Sequence, residues 1–165
     1  MAIRRRRSRI GVFLALLALG VAALRGRVRR FEIVESSMEP TLRAGDYVVA
    51  TRRRPGIRRG EIVVFEARGR AGFDVIKRVI ALPGETVEIA NGQVHVDGAV
   101  LAEPWADGPT YPEGRWEVGR DHIFVLGDRR SASSMDGRSI GPLAFGAVPW
   151  RVGWRYWPLD RIGRL

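Results

Sequence analysis

From Phe31 onward the chain is written in short apolar or alternating runs, each closed by glycine, proline or asparagine, and this punctuation restricts it to strands. The runs are FEIV (31–34), DYVVA (46–50), EIVVF (61–65), FDVIKRVIAL (73–82), TVEI (86–89), QVHVD (93–97) and HIFVL (122–126). Side chains that alternate in this way suit a half-buried strand, and no run keeps a helical period. Asn91-Gly92, between the fifth and sixth runs, is a hairpin signal because a type I′ turn needs positive φ at both positions. The expected fold is mainly β and antiparallel. The stretches 55–60 and 104–114 read as loops, the second long enough to be functional or mobile.

Charge is distributed unevenly. The 165 residues suffice for one domain with a real core, and 45% hydrophobic with 28% charged residues describes a folded chain. A net charge of +10 suggests nucleic acid until it is located. Residues 1–30 carry nine arginines and no acid; residues 31–165 then hold 19 of the 28 basic residues (28 − 9) against 18 acids. The basicity belongs to an N-terminal device, so no nucleic-acid partner is expected.

That device brackets Ile10 to Leu24, IGVFLALLALGVAAL, fifteen residues without a charge. As a helix they rise roughly 22 Å, short of the roughly 30 Å hydrocarbon core, so a span needs local thinning or snorkelling arginines. A cleaved export signal ending near Val21-Ala22-Ala23 is the rival reading. The arginines crowding after the run favour a retained transmembrane helix. The expected organisation is a basic N-terminus and single anchor over 1–30, then a β-rich domain over 31–165. Arginines on both flanks leave the positive-inside rule undecided. The absence of cysteine excludes disulfides, thiolate catalysis and cysteine zinc sites.

Candidate chemistry follows by elimination. His95 and His122 do not stand at metal-ligand spacing, and no glycine-rich phosphate loop precedes a helix, so metal and nucleotide enzymes are disfavoured and no cofactor is expected. A serine and a lysine remain. Lys77 is the single lysine among 28 Lys and Arg residues, and its neighbours Val75, Ile76, Val79 and Ile80 are apolar. Burial disfavours the ammonium and moves the amine toward a useful general base; arginine stays protonated and cannot serve. Ser37 follows a strand and precedes Pro40, a position that fits either a turn-capping serine or a hydroxyl presented outside the ladder.

Four segments carry a family resemblance in order: SSMEPTL (36–42), RRGEIVVF (58–65), IKRVIALPGE (76–85) and LGDRRSASSMDGRSIGPL (126–143). With these the chain resembles the bacterial type I signal peptidases, membrane-anchored serine proteases with a Ser–Lys dyad and a compact antiparallel β fold. The resemblance implies Ser37 as nucleophile, Lys77 as base, and Ser134 as the hydroxyl orienting the amine, with Ser133 in competition because the motif is one residue longer than common. It implies Asp136 and Arg138 as a bracing pair near Arg78. Val34, Met38, Leu42, Val75 and Ile76 would line the substrate pockets, with core packing as the alternative for all five. The chain departs from the family's pattern at Arg129, where asparagine is usual, at Gly137, where serine is frequent, and at Ser36, often glycine. Glu35 stands where some relatives place an oxyanion-hole serine.

The implied activity is removal of signal peptides of the Ala-X-Ala type from exported preproteins. The implied location is the cell membrane, single-pass, with residues 31–165 on the extracytoplasmic side. Trp150, Trp154, Tyr156 and Trp157 near the C-terminus read either as an interfacial belt facing the lipid bilayer or as a final strand with core-facing rings. Two other classes share some of these features: self-cleaving SOS repressors, which use a Ser–Lys dyad on a related scaffold, and a non-catalytic membrane-tethered β domain that binds proteins.

Overall fold

The computed structural model describes residues 26–52 and 56–165. The anchor expected over residues 10–24 lies outside them, and among the described residues no helix is long and apolar enough to cross a membrane. The strands in chain order are β1 (Val28–Glu32), β2 (Tyr47–Arg52), β3 (Ile62–Glu66), β4 (Asp74–Ala81), β5 (Thr86–Ala90) and β6 (Gln93–Val96). They continue with β7 (Ala99–Val100), β8 (Gly114–Glu117), β9 (His122–Leu126), β10 (Leu143–Ala144), β11 (Trp150–Trp157) and β12 (Gly163–Arg164). Among the described residues, helical structure is confined to the turn Gly137–Ile140 and three short 3₁₀ turns.

Among the described residues two antiparallel sheets result. The larger runs β1-β2-β11-β3-β4-β9-β10, with β12 added to β11; the smaller runs β7-β6-β5-β8. The β5–β6 hairpin turns at Asn91 (φ 52°) and Gly92 (φ 75°), as the Asn-Gly pair requires. Three apolar clusters fill the interior. One packs Ile80, Val87, Ile89 and Phe124 beneath the small sheet; a second packs Ile33, Met38, Leu42, Val48, Ile62 and Val152; a third packs Val63, Phe65, Val79, Ile123 and Val125. The alternation in β5 and β6 explains the first, since their buried residues face one side, whereas β3 and β9 are buried on both faces and read as continuous apolar runs.

The first strand differs from expectation. FEIV (31–34) is not the strand: β1 begins at Val28, inside the basic stretch, and ends at Glu32. Arg29 is compatible with a strand because its guanidinium lies 5.1 Å from the Phe31 ring and pairs with Asp74 at 3.3 Å. A boundary at residue 30 therefore cuts a strand. The final strand β11 pairs with both β2 and β3. Its Trp150 packs edge-on against Phe31, whereas Trp154 and Trp157 are 46% and 48% exposed, so the aromatic residues there divide between core and surface.

A buried carboxylate fastens this C-terminal segment to the chain after β1. Asp46, 1% exposed, accepts from the Arg43 N–H at 2.9 Å, from Arg155 at 3.2 Å and from Arg161 at 2.8 Å. The same two arginines donate to the Thr41 carbonyl. Asp46→Ala leaves these donors without their acceptor and should lower unfolding free energy by about 2 kcal/mol, read as a shifted urea midpoint with an unchanged slope.

Candidate active site

Residues 33–46 leave β1 and return into β2 through one compact turn. Glu39 N–H donates to the Ser36 carbonyl (3.0 Å) and Leu42 N–H to that of Met38 (2.8 Å), which sinks Met38 and Leu42 fully into the second cluster. Their burial anchors the turn and brings Ser37 to β4 of the larger sheet. There β4 supplies Lys77, and its Nζ lies 2.8 Å from Ser37 Oγ. Ser37 is 4% exposed and Lys77 3%.

The amine sits in an environment that disfavours its charge. Burial lowers the Lys77 pKa; Asp136, Glu35 and Asp128 pull in the opposite direction, Arg138 reinforces burial, and the net shift is downward. A lysine in that state can accept a proton from the serine it touches.

Two arginine–carboxylate groups frame this pair. On one side Arg78, next to Lys77 on β4, grips Asp128 through two bonds, Nε to Oδ1 at 2.7 Å and Nη2 to Oδ2 at 2.6 Å. The Thr41 hydroxyl donates to Asp128 (2.6 Å), and the Trp105 ring covers the Arg78 guanidinium at 4.8 Å. On the other side Asp136 accepts from Arg138 Nε (3.0 Å) and Nη2 (2.8 Å), from Ser133 Oγ (2.6 Å) and from Gly127 N–H (3.2 Å). Burial alone would raise the Asp136 pKa; its bonds from Arg138, Ser133 and Gly127 outweigh that and hold the carboxyl below its usual range. Arg138 also donates to the carbonyls of Tyr111, Arg130 and Ser133, tying the motif together. Gly127 is required by space: a Cβ there would meet Ser133 Oγ and come within 2.6 Å of the Ser37 carbonyl.

The sequence-based site residues fare unevenly. Ser37 and Lys77 are brought together, and Asp136 pairs with Arg138, but Arg78 pairs with Asp128. Ser134 is exposed, and its carbonyl accepts from Ser139; the hydroxyl turned inward onto Asp136 is that of Ser133. Val34, Val75 and Ile76 line a groove beside the pair, while Met38 and Leu42 do not: both are core residues, because the turn that positions Ser37 needs them as its anchor. Thr41 and Asp128 went unassigned in sequence, although both stand inside the motif segments, Thr41 in 36–42 and Asp128 in 126–143.

The groove runs from Ser37 and Lys77 between 31–35 and 73–77. Its walls are strand edges left open. Among the described residues β1 pairs only with β2, and β9 covers β4 only from Arg78 to Ala81, so Asp74–Ile76 is paired on one side alone. Phe31, Val34, Val64, Val75 and Ile76 give it apolar surface.

A serine hydroxyl joined to a buried lysine of lowered pKa at the end of an open-edged groove is the arrangement of a Ser–Lys peptidase. Residues 6–157 match the family described as "Signal peptidase, peptidase S26". A probable signal peptidase I-2 of Synechocystis is 36% identical over 91% of this chain and 72% of its own length. A signal peptidase I of Bacillus caldolyticus is 36% identical over 86% of this chain and 87% of its own. A crystal structure of a signal peptidase I from Enterococcus faecalis superposes with a TM-score of 0.49 at 28% identity, covering 59% of this chain and 96% of that one. The chain belongs to the S26 signal peptidases, serine endopeptidases that remove signal peptides. This membership sets aside the repressor and non-catalytic alternatives.

The two serines of the last motif make a discriminating pair. Ser133→Ala removes a bond to Asp136 and should lower kcat by about tenfold to a hundredfold, the scale of a small misplacement at a reacting centre, whereas Ser134→Ala should leave kcat within about twofold, as surface changes do. Steady-state cleavage of one peptide by both variants reads the difference.

Proposed function

We propose that the protein cleaves signal peptides from exported preproteins with Ser37 as nucleophile and Lys77 as general base. The observation that carries this assignment is the 2.8 Å contact between the chain's single lysine and a buried serine that opens onto a groove. Neutral Lys77 takes the hydroxyl proton as Ser37 Oγ attacks the scissile carbonyl, and the ammonium so formed returns a proton to the leaving amine. Water then attacks the acyl-enzyme, again giving its proton to Lys77. The Ser37 backbone N–H has no acceptor among the described residues and is available to the oxyanion. Glu35 offers no donor of the kind a serine would supply there.

The open edges of 31–35 and 73–77 suit an extended peptide that adds itself as a strand, its backbone bonded on both sides. Alternate side chains of such a peptide point into the apolar wall formed by Val34, Val75 and Ile76, which favours small residues at the first and third positions before the cut. That supports an Ala-X-Ala preference.

Membrane placement is part of the same proposal: residues 10–24 as a single anchor, with the β domain on the extracytoplasmic side. Trp154, Trp157, Leu159 and Ile162 are exposed on the C-terminal segment together with Arg164, whereas Arg155 and Arg161 turn inward onto Asp46. Aromatic and aliphatic side chains beside an exposed arginine suit the headgroup level of a bilayer. The paired change Trp154→Ser and Trp157→Ser should weaken binding of the β domain to anionic vesicles in a flotation assay; undiminished flotation would remove this surface from the account.

Labelling with a serine-directed acylating inhibitor, followed by peptide mass spectrometry, should find the adduct on Ser37. Ser37→Ala and Lys77→Arg should fold, by circular dichroism, and cut an Ala-X-Ala substrate at background rates. In wild type kcat/KM should rise with pH as Lys77 loses its proton, because only the neutral amine is a base, and the rise should fall below the ordinary lysine range since burial lowers that pKa. An arginine variant cutting at the wild-type rate would exclude Lys77 as the base.

A further inference from the structure

The carboxylates around the groove have partners, with one exception. Asp74 is paired with Arg29, Glu39 with Arg129, Asp128 with Arg78 and Asp136 with Arg138. Glu32 stands opposite Tyr47 across β1 and β2, and its carboxylate raises the pKa of that phenol. Glu35 is exposed, lines the groove together with Ser37 and Lys77, and has no hydrogen bond or ion pair among the described residues. It lies two residues before the serine, in the turn that fixes the nucleophile, so its position relative to the scissile bond is set by the backbone.

Glu35 also acts against the chemistry beside it. Its field favours the ammonium form of Lys77, whereas the proposed mechanism needs the neutral amine. It supports no neighbouring element and cannot donate to an oxyanion. A negative charge with those properties makes physical sense if the missing counter-charge arrives with the substrate.

We propose that Glu35 is a specificity-determining residue that selects substrates with a basic side chain between the two small residues before the scissile bond and discriminates against an acidic one there. The inference rests on the function proposed above. In an extended peptide whose first and third side chains point into the groove wall, the second points outward to the rim, and Glu35 is exposed at that rim. A lysine or arginine there meets an unpaired carboxylate, partly offsets its field on Lys77 and so favours the neutral base. A glutamate meets like charge. Rim charges act chiefly on encounter and selectivity and are weakened by salt.

Three peptides differing only at the central residue, Ala-Lys-Ala, Ala-Gln-Ala and Ala-Glu-Ala, test this with the full-length protein in detergent. At low ionic strength kcat/KM should fall in that order, with about a tenfold spread between the lysine and glutamate peptides for one partly exposed charge pair and one repulsion. High salt should compress the spread. Glu35→Gln should bring the lysine-to-glutamate ratio close to unity and Glu35→Lys should invert it, and as a ratio within one variant it is unaffected by general loss of activity. Equal rates for the lysine and glutamate peptides in wild type, or a preference that survives Glu35→Gln, would overturn the inference while cleavage of the glutamine peptide leaves the peptidase reading intact. If wild type cuts none of the three, the proposed function fails and this inference fails with it.

Discussion

Burial of one amine governs the arrangement. Lys77 is 3% exposed and touches Ser37, and an ammonium held away from water is costly unless it is paired or loses its proton. The surroundings have to keep the amine dry without giving it a carboxylate in contact. Asp128 and Asp136 are both close enough to act on Lys77, yet each is saturated by an arginine and a hydroxyl, so their pull on its proton is blunted. This explains why the site is framed by arginine–carboxylate groups: the planar guanidinium satisfies both carboxylate oxygens and stays charged, leaving Lys77 as the basic group able to titrate.

The two frames also connect the site to the rest of the fold. Thr41 joins Asp128 through its hydroxyl and Arg155 and Arg161 through its carbonyl, so the turn carrying Ser37 is held between the β4 network and the C-terminal segment. Arg130, buried beneath the last motif, bonds to Glu103 and Thr110 and secures the long 104–114 loop, whose Trp105 covers Arg78. That loop is structural at its ends and middle, which its composition did not disclose.

Much of the core was legible in the sequence because β5, β6 and β9 have the simple patterns of half-buried or fully buried strands. β1 was misread since its apolar content is low: Val28–Glu32 forms an edge strand, stabilised by backbone pairing to β2 and by the guanidinium of Arg29 over Phe31. β8 and β11 escaped for related reasons, having arginines at exposed positions and tryptophans whose faces alternation does not assign. In the site, the contact between Ser37 and Lys77 was legible from chemistry and motif order. Met38 and Leu42 were not, because an apolar residue beside a nucleophile reads alike whether it floors a pocket or anchors a turn. Ser133 and Ser134 differ only in which way one backbone step faces, and local sequence holds no signal for that once the motif carries an extra residue.

Burial against Ser37 lowers the pKa of Lys77, and the mechanism depends on that shift. A chain with one lysine permits a direct reading: biosynthetic labelling with ¹³C,¹⁵N-lysine yields a single side-chain signal, whose Cε and Nζ shifts report protonation as pH is varied. The account predicts one titration below the ordinary lysine range, moving upward when the protein is unfolded in urea. A Lys77 signal that titrates at the ordinary lysine value in the folded protein would contradict it.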